Sequence, residues 1–316
     1  MASVIKFVFV GHVDAGKSST SGHLLYKSGC IDDRTMESMK RKADSNKRKG
    51  CEFAYLLDKD EEEQTNGRTV DYDLVPFTYQ QQDYILVDCP GHKAYVRNLI
   101  AGLNATRPSE TIGCLMISLA EGEYEAGMNG GQTQEAVLLL RATGVQDLVV
   151  VMNKIDLVAQ DTPRYSKILG ELQLHLKKLG FQSLHFHPAS GYVGTGLVEL
   201  LALLKKVARP ETTTTTPSLI TPTKQVKIQA RLMFTEDYTL LFSAGLSLVI
   251  HVGSVEYQVT VESLIDVVKK KKVPFALNGS VILAGVSCDD TFRVSVGDRI
   301  ILRKDDHTIG FGVVKG

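Results

Sequence analysis

Residues 11–18 read GHVDAGKS and stand between an apolar run at 6–10 and a helical pattern at 16–28. That is the spacing G-x-x-x-x-G-K-[ST], in the strand–loop–helix setting that gives it meaning. Gly11 and Gly16 let the backbone curl so that consecutive N–H groups, from about Asp14 through Ala15, Gly16, Lys17 and Ser18 to Ser19, turn toward phosphate oxygens. The helix that follows offers its positive end to the same anion. Lys17 brings a point charge to the β and γ phosphates. The Ser18 hydroxyl suits one octahedral position on Mg²⁺, an ion that keeps waters and takes few protein ligands.

The rest of the first two thirds fits that beginning. Continuous apolar runs at 6–10, 84–87, 114–119 and 148–152 predict central strands buried on both faces of a mostly parallel sheet. Helical spacing predicts helices over 16–28, 95–103, 132–143, 165–179 and 197–207. The stretch 209–223 then breaks the pattern with five consecutive threonines at 212–216 and prolines at 210, 217 and 222. Such a stretch cannot pack a core and reads as an extended linker. Beyond it, short alternating runs at 225–234, 255–261, 281–286, 299–303 and 308–314 predict a small antiparallel barrel or sandwich. The expected domains are therefore 1–209, a Thr/Pro-rich linker at 210–223, and a barrel at 224–316. Four lysines at 269–272 fall between two strand patterns and read as a solvated turn.

Composition narrows the partners. Lys plus Arg and Asp plus Glu both number 36, so no whole-molecule charge draws the chain to nucleic acid or to an anionic membrane. A polyanion must be met by a local site. Cys30, Cys51, Cys89, Cys114 and Cys288 form no C-x-x-C pair, which fits a reducing compartment. The apolar opening enters a glycine loop without a cleavage-type small-residue site, and no apolar stretch approaches the ~18 residues that span a bilayer. A cytoplasmic, unanchored monomer is expected.

Two further strings complete a nucleotide site. Asp88 begins D-C-P-G at the end of the run 84–87, where its carboxylate can hold Mg²⁺ through a water; Gly91 leaves its amide free to approach a γ-phosphate. Asn153-Lys154-Ile155-Asp156 follows the run 148–152, and Asp156 decides the base. Ionised, it only accepts, so it can take the ring N–H and exocyclic amine of guanine, whereas adenine offers no matching donor pair. Rejection by such missing bonds reaches about 10⁴-fold. The Lys154 stem would cover a base face, and Asn153 would tie this loop to the phosphate loop. In the loop Ser190, Gly191 and Tyr192, after Ala189, backbone N–H groups are placed to meet the guanine carbonyl. The nucleotide expected is GTP or GDP.

The chain resembles the translational GTPases, in the group of elongation factor 1-alpha, eukaryotic release factor 3 and the rescue GTPase that partners Pelota. The resemblance runs through GHVDAGKSS at 11–19, GHLLY at 22–26, FAYLLDK at 53–59, DCPGH at 88–92, EYEAG at 123–127, GGQTQE at 130–135 and NKID at 153–156. It implies a P-loop GTPase domain whose GTP hydrolysis is triggered on the ribosome. It also implies that His92 orients the attacking water and that Thr69, the first-switch threonine, closes over Mg²⁺ and reports the γ-phosphate. The charged stretch 40–63 falls in the family's first-switch insertion, as a solvated helical face or a ribosomal contact.

Two departures stand out. The family carries an apolar residue before the switch threonine, which with the phosphate-loop valine, here Val13, keeps the histidine back; this sequence has Arg68, and Asn66 replaces the usual arginine. Arg68 either leaves that gate half open, approaches the transferring phosphoryl group, or points to solvent. The second departure is length. About 93 residues follow the linker, room for one barrel where the family has two. The ending DRIILRKDDHTIGFGVVKG resembles the family's third domain, so the middle barrel is expected to be absent. Expected partners are the ribosome, with tRNA or a release- or rescue-type protein factor. The competing readings are a GTP-gated adaptor or decoy with little turnover and a regulatory subunit like the GTPase that partners sulfate adenylyltransferase.

Overall fold

The computed structural model describes residues 4–45, 52–57, 69–128, 131–158, 160, 162–181, 183–208, 222–233 and 240–315. Arg68 and Asn66, most of the linker 210–223, Cys51, residue 234 and parts of the stretch 40–63 lie outside the described residues. The chain divides into two compact units, one built chiefly of the described residues up to 208 and the other of those from 222 onward. Among the described residues no helix is long and apolar enough to cross a membrane.

The first unit is an α/β layer structure around a six-stranded sheet. Its strands are β1 (Ile5–Gly11), β2 (Asp73–Tyr79), β3 (Gln82–Asp88), β4 (Thr111–Ser118), β5 (Asp147–Asn153) and β6 (Ser183–Pro188), in the spatial order β2-β3-β1-β4-β5-β6. Only β2 runs antiparallel to its neighbour. Every residue of β4 and β5 is buried, as their unbroken apolarity requires of strands covered on both faces. On one face Phe7, Phe9, Leu86, Met116 and Val151 pack against Leu24, Leu200 and Leu204. These last come from α1 (Lys17–Lys27) and, later in the chain, from the helix Leu197–Val207.

Between these lie α2 (Asp33–Ser45), α3 (Val96–Asn104), α4 (Glu123–Met128), α5 (Gln132–Thr143) and α6 (Pro163–Lys178); Leu197–Val207 is α7. All four expected central strands and all five expected helices are present within a few residues of their predicted ends. Four elements were not predicted. Strand β2 carries Pro76, tolerated because β2 is a sheet edge, and its hairpin turns on Gln80 and Gln81 at φ 47 and 61, with no Gly or Asn to mark it. Strand β6 ends in HFHP, a polar-interrupted run. Helix α2 buries only Ala43, so it lacks an apolar stripe broad enough to signal itself. Helix α4 is a turn and a half.

The pairing register sets up the site. Phe9 lies beside Asp88, Gly11 beside Met116 and Ser118 beside Asn153, so the C-terminal ends of β1, β3, β4 and β5 meet along one sheet edge. In open α/β sheets that edge is where ligands are held.

The second unit is a closed antiparallel barrel. Strands β7 (Thr223–Leu232), β9 (Ser247–Val252), β10 (Val255–Asp266), β13 (Val281–Phe292), β14 (Arg299–Lys304) and β15 (His307–Lys315) pair in the ring β7-β15-β14-β9-β10-β13 and back to β7. Closure removes open edges. Val226, Ile228, Ala230 and Leu232 alternate inward along β7 onto Ile250, Val259, Ala284 and Ile309. The short piece β11 (Lys271–Lys272) extends the sheet beside β10, while β8 (Phe242–Ser243) and β12 (Phe275–Ala276) pair with each other as a separate two-stranded sheet. The lysine run is exposed, as expected; the Asp266 carboxylate accepts the N–H groups of Val268 and Lys269 and makes the turn.

Candidate nucleotide-binding site

Strand β1 leaves the sheet at Gly11 and passes through a 3₁₀ turn, Val13–Ala15, before α1 starts. Gly16 holds the left-handed conformation, φ 85, at the helix entry. The loop therefore forms as expected, with one correction. The Ala15 N–H is not turned to a ligand; it closes on the His12 carbonyl at 3.2 Å, which tightens the 3₁₀ turn. Asp14 is exposed, and the Thr20 N–H bonds to the Gly16 carbonyl at 2.9 Å, so the N–H groups at the helix start belong to Lys17, Ser18 and Ser19.

Lys17 is buried, and its Nζ donates to the carbonyls of Gly11 at 3.2 Å and His12 at 2.9 Å. Burial holds it below the ordinary lysine range, against the opposing charge of Asp88. Asp88, at the end of β3, is fully buried. Burial pushes its carboxyl up to about 6, against the pull of Lys17 and of the nearby Ser18 and Ser21 hydroxyls. Neither Asp88 oxygen closes a hydrogen bond among the described residues, and the buried hydroxyls of Thr20 and Ser21 are likewise without partners. A Cβ at residue 91 would collide with Lys17 Nζ and stand 2.7 Å from the Gly11 carbonyl oxygen. Only glycine lets this turn lie against the phosphate loop.

Thr69 comes to the same place. Its Oγ1 is 2.9 Å from Ser18 Oγ. The chain beyond it is clamped by α3, where the Asn98 amide donates to the Val70 carbonyl at 2.8 Å. Two hydroxyls in contact and a buried carboxylate with orphaned oxygens are a hard-oxygen donor set, suited to a small divalent cation that keeps most of its waters. His92 caps the 3₁₀ turn Lys93–Tyr95, its Nδ1 accepting the Ala94 N–H at 3.3 Å, with its ring against Tyr95. Accepting at Nδ1 places the neutral ring's proton on Nε2.

At the other end, Asn153 is buried with both ends of its amide used: Nδ2 donates to the Ala15 carbonyl at 2.8 Å and Oδ1 accepts the Gly191 N–H at 2.9 Å. It ties the base loop to the phosphate loop, as its sequence position implies. Lys154 sits at φ 64, and its Nζ meets the Glu123 carboxylate at 2.6 Å. Asp156 is exposed on a turn pinned by Ile155 N–H to the Ala189 carbonyl, 3.1 Å, and Leu157 N–H to the Lys154 carbonyl, 3.0 Å.

In the loop after β6, the N–H groups of Ala189, Ser190 and Gly191 are all engaged, with Met152 O, Thr195 O and Asn153 Oδ1. They shape the loop. The buried Ser190 hydroxyl accepts the Val193 N–H at 3.0 Å, and Tyr192 is exposed at the loop's tip.

Sequence reasoning did not single out the bracket around Lys154. Glu123 also accepts from Ser118 Oγ at 2.6 Å, and Arg164 of α6 donates to the carbonyls of Leu119 and Ala120, both at 2.8 Å, and to Glu125. Burial would raise the Glu123 carboxyl, but the bonds from Lys154 and Ser118 outweigh it and hold it below the usual range. An acidic residue shortly after a central strand was the available signal, and such residues are common.

These distances place the G-x-x-x-x-G-K-S loop, the Ser18–Thr69 hydroxyl pair and the N-K-x-D loop on one sheet edge. A family model described as Elongation factor Tu GTP binding domain matches residues 2–210. The chain belongs to that family. Its relatives include the eukaryotic peptide chain release factor GTP-binding subunit of Kluyveromyces lactis, 40% identical over 201 residues, covering 62% of this chain and 28% of that protein. Elongation factor 1-alpha of Coccidioides immitis is 36% identical over 198 residues, covering 62% and 42%. The chain thus spans well under half the length of these curated relatives. Among solved structures, the Ski7 GTPase-like domain of Saccharomyces cerevisiae, bound to GTP, superposes with a TM-score of 0.80 over 99% of this chain and 98% of that one, at 15% identity. That likeness is one of fold. Membership in a GTP-binding domain family of translation factors agrees with the resemblance read from the motifs.

Proposed function

We propose that the chain binds GTP and GDP with Mg²⁺ and hydrolyses GTP as a conformational switch of the translation apparatus. The contact that supports this most directly is Ser18 Oγ to Thr69 Oγ1, 2.9 Å, beside the orphaned oxygens of buried Asp88. It joins the phosphate loop to the first switch through the atoms that a nucleotide-bound cation would take. When bound, Mg²⁺ supplies charge neutralisation on the phosphate oxygens. Lys17 moves from the Gly11 and His12 carbonyls toward the β and γ phosphates. The amides of Lys17 to Ser19 and Gly91 donate to the same oxygens. Asp156 selects the guanine edge, and the Lys154 stem, braced by Glu123, walls the base. His92, with Nε2–H, donates to the attacking water and orients it. Loss of the γ-phosphate releases Thr69, and the segment clamped by Asn98 shifts with it.

The partners in this reading are the ribosome and a tRNA or a release- or rescue-type protein, in the cytoplasm, with the chain acting as a monomer. The segment 210–223 serves as linker, and the barrel from 224 corresponds to the third domain of elongation factor 1-alpha, with no middle barrel between. Delivery of aminoacyl-tRNA in the ordinary way is then not expected. One observation favours the adaptor reading: His92 is engaged at Nδ1 as a turn cap, a role that needs no turnover. GTP hydrolysis with and without ribosomes, for wild type and His92→Ala, decides between them. Ribosome-stimulated hydrolysis lost in His92→Ala supports the switch; equal slow rates in all four reactions support the adaptor. Calorimetry showing no uptake of GDP or GTP with Mg²⁺, or a preference for ATP, removes both.

A further inference from the structure

The side chain of His23 on α1 touches both segment 52–57 and the base loop. Gly22 lets the helix touch the segment backbone to backbone, since a Cβ there would collide with the Phe53 carbonyl oxygen. Beside it, the His23 ring lies flat on the Phe53 ring, centroids 3.9 Å apart and planes at 8°. From its other edge, His23 Nδ1 is 2.9 Å from the Gly191 carbonyl oxygen. A carbonyl only accepts, so Nδ1 carries the proton. The Gly191 N–H in turn donates to Asn153, whose amide holds the Ala15 carbonyl of the phosphate loop. One turn along α1, Lys27 Nζ donates to the Gly194 carbonyl at 2.8 Å and pins the far side of the same loop. His23 is 6% exposed, and Tyr55 of the segment is buried at 2%.

Neither His23 nor Phe53 is among the residues placed at the phosphates, cation or base, yet the Phe53 ring and the His23 donor together hold one carbonyl of the loop that Asn153 holds by its N–H. We infer that His23 is a positioning residue that couples docking of segment 52–57 to the shape of the base loop, linking order in the first-switch insertion to retention of guanine nucleotide. Phe53 sets the plane of the imidazole; the imidazole sets the Gly191 carbonyl; the peptide plane of Gly191 then sets its neighbours. Linkage runs both ways, so a nucleotide that holds the base loop also holds the segment. The choice of ligand rests on the function proposed above, whereas the coupling itself joins two protein segments and is measurable without nucleotide.

The test uses the full chain. Phe53→Ala and Phe53→Leu remove the ring from one side, His23→Phe keeps a ring and removes the donor, and His23→Asn keeps a donor and removes the ring. The first readout is amide exchange of residues 189–195 in nucleotide-free protein, and the second is release of a fluorescent GDP. Phe53→Ala and His23→Phe are each expected to speed both by about tenfold, the cost of one disturbed buried hydrogen bond. Phe53→Ala added to His23→Asn is expected to change neither further, because the ring contact is already gone. Unchanged exchange in folded Phe53→Ala or Phe53→Leu, or full additivity of the two substitutions, overturns the coupling. Faster exchange in a protein that binds no GDP leaves the coupling standing and removes the nucleotide reading instead.

Discussion

The phosphate end and the base end of the site are built on opposite principles. At the phosphate end, among the described residues, the two buried Asp88 oxygens and the buried Thr20 and Ser21 hydroxyls close no hydrogen bond, and Lys17 is parked on two backbone carbonyls. At the base end, the Asn153 amide is used at both ends, Lys154 is paired, and three successive N–H groups of the loop are spent inside the protein. Buried polar groups without partners cost about 1–3 kcal/mol each. The first end is thus left for a ligand to complete, whereas at the second the frame around Asn153 and Lys154 is already held by the protein's own bonds. A switch needs both: a rigid holder that recognises the nucleotide in either state, and a loosely satisfied region whose arrangement depends on one phosphate.

The largest expected effect tests the unfinished end. Lys17→Ala is expected to lower GDP affinity by about 10³-fold, since it removes a charge from the phosphates, while leaving the melting temperature without nucleotide nearly unchanged, because the cost of burying its charge offsets its two carbonyl bonds. Titration calorimetry and a melting curve read the two together; a large loss of stability without nucleotide would mean that Lys17 is structural. Asp88→Asn comes next. A carboxyl held at about 6 in the folded state and near 3.8 when unfolded binds its proton more tightly when folded. Its burden is therefore absent at pH 3 to 4, grows as pH rises through 4 to 6, and is complete above 6, at about 3 kcal/mol. Metal- and nucleotide-free Asp88→Asn should gain up to that amount over wild type at pH 7.5 and little at pH 4. Denaturant melts at the two values check this, and equal stabilities at pH 7.5 would show that the carboxylate is already satisfied.

Asn153→Ala probes the finished end with the opposite sign. Two buried bonds go, so about 2 kcal/mol of stability should be lost even without nucleotide. An undiminished melting temperature would erase the contrast between the ends. Glu123→Gln is expected to have the smallest effect, about twofold to fivefold weaker GDP binding, because the pair with Lys154 is partly exposed and screened. Competition against a fluorescent nucleotide would reveal it; a hundredfold loss would make Glu123 part of the recognition surface itself.

Much of this was legible in the residue order. Residues 11–18, 88–91 and 153–156 follow apolar runs that can only be central strands, and motifs at strand ends on a parallel sheet must share one edge. The placing of Asn153 against the phosphate loop followed from that. The use of the Ala189, Ser190 and Gly191 amides did not, because a loop sequence does not say which of its own carbonyls its N–H groups will meet. The edge strand β2 was hidden by Pro76 and a glycine-free turn, and α2 by its nearly all-polar surface.

The sequence by itself determined the class of fold and the order of the motifs along one sheet edge, since apolar periodicity and side-chain donor sets are local properties of the chain. Tertiary structure alone decided which polar groups are spent and which are left over. Lys154 finds Glu123 across 31 positions, Ser18 finds Thr69 across 51, and His23 finds Gly191 across 168. Each of those partners has the right chemistry many times over in the sequence, and only packing brings one of them within a hydrogen bond's length.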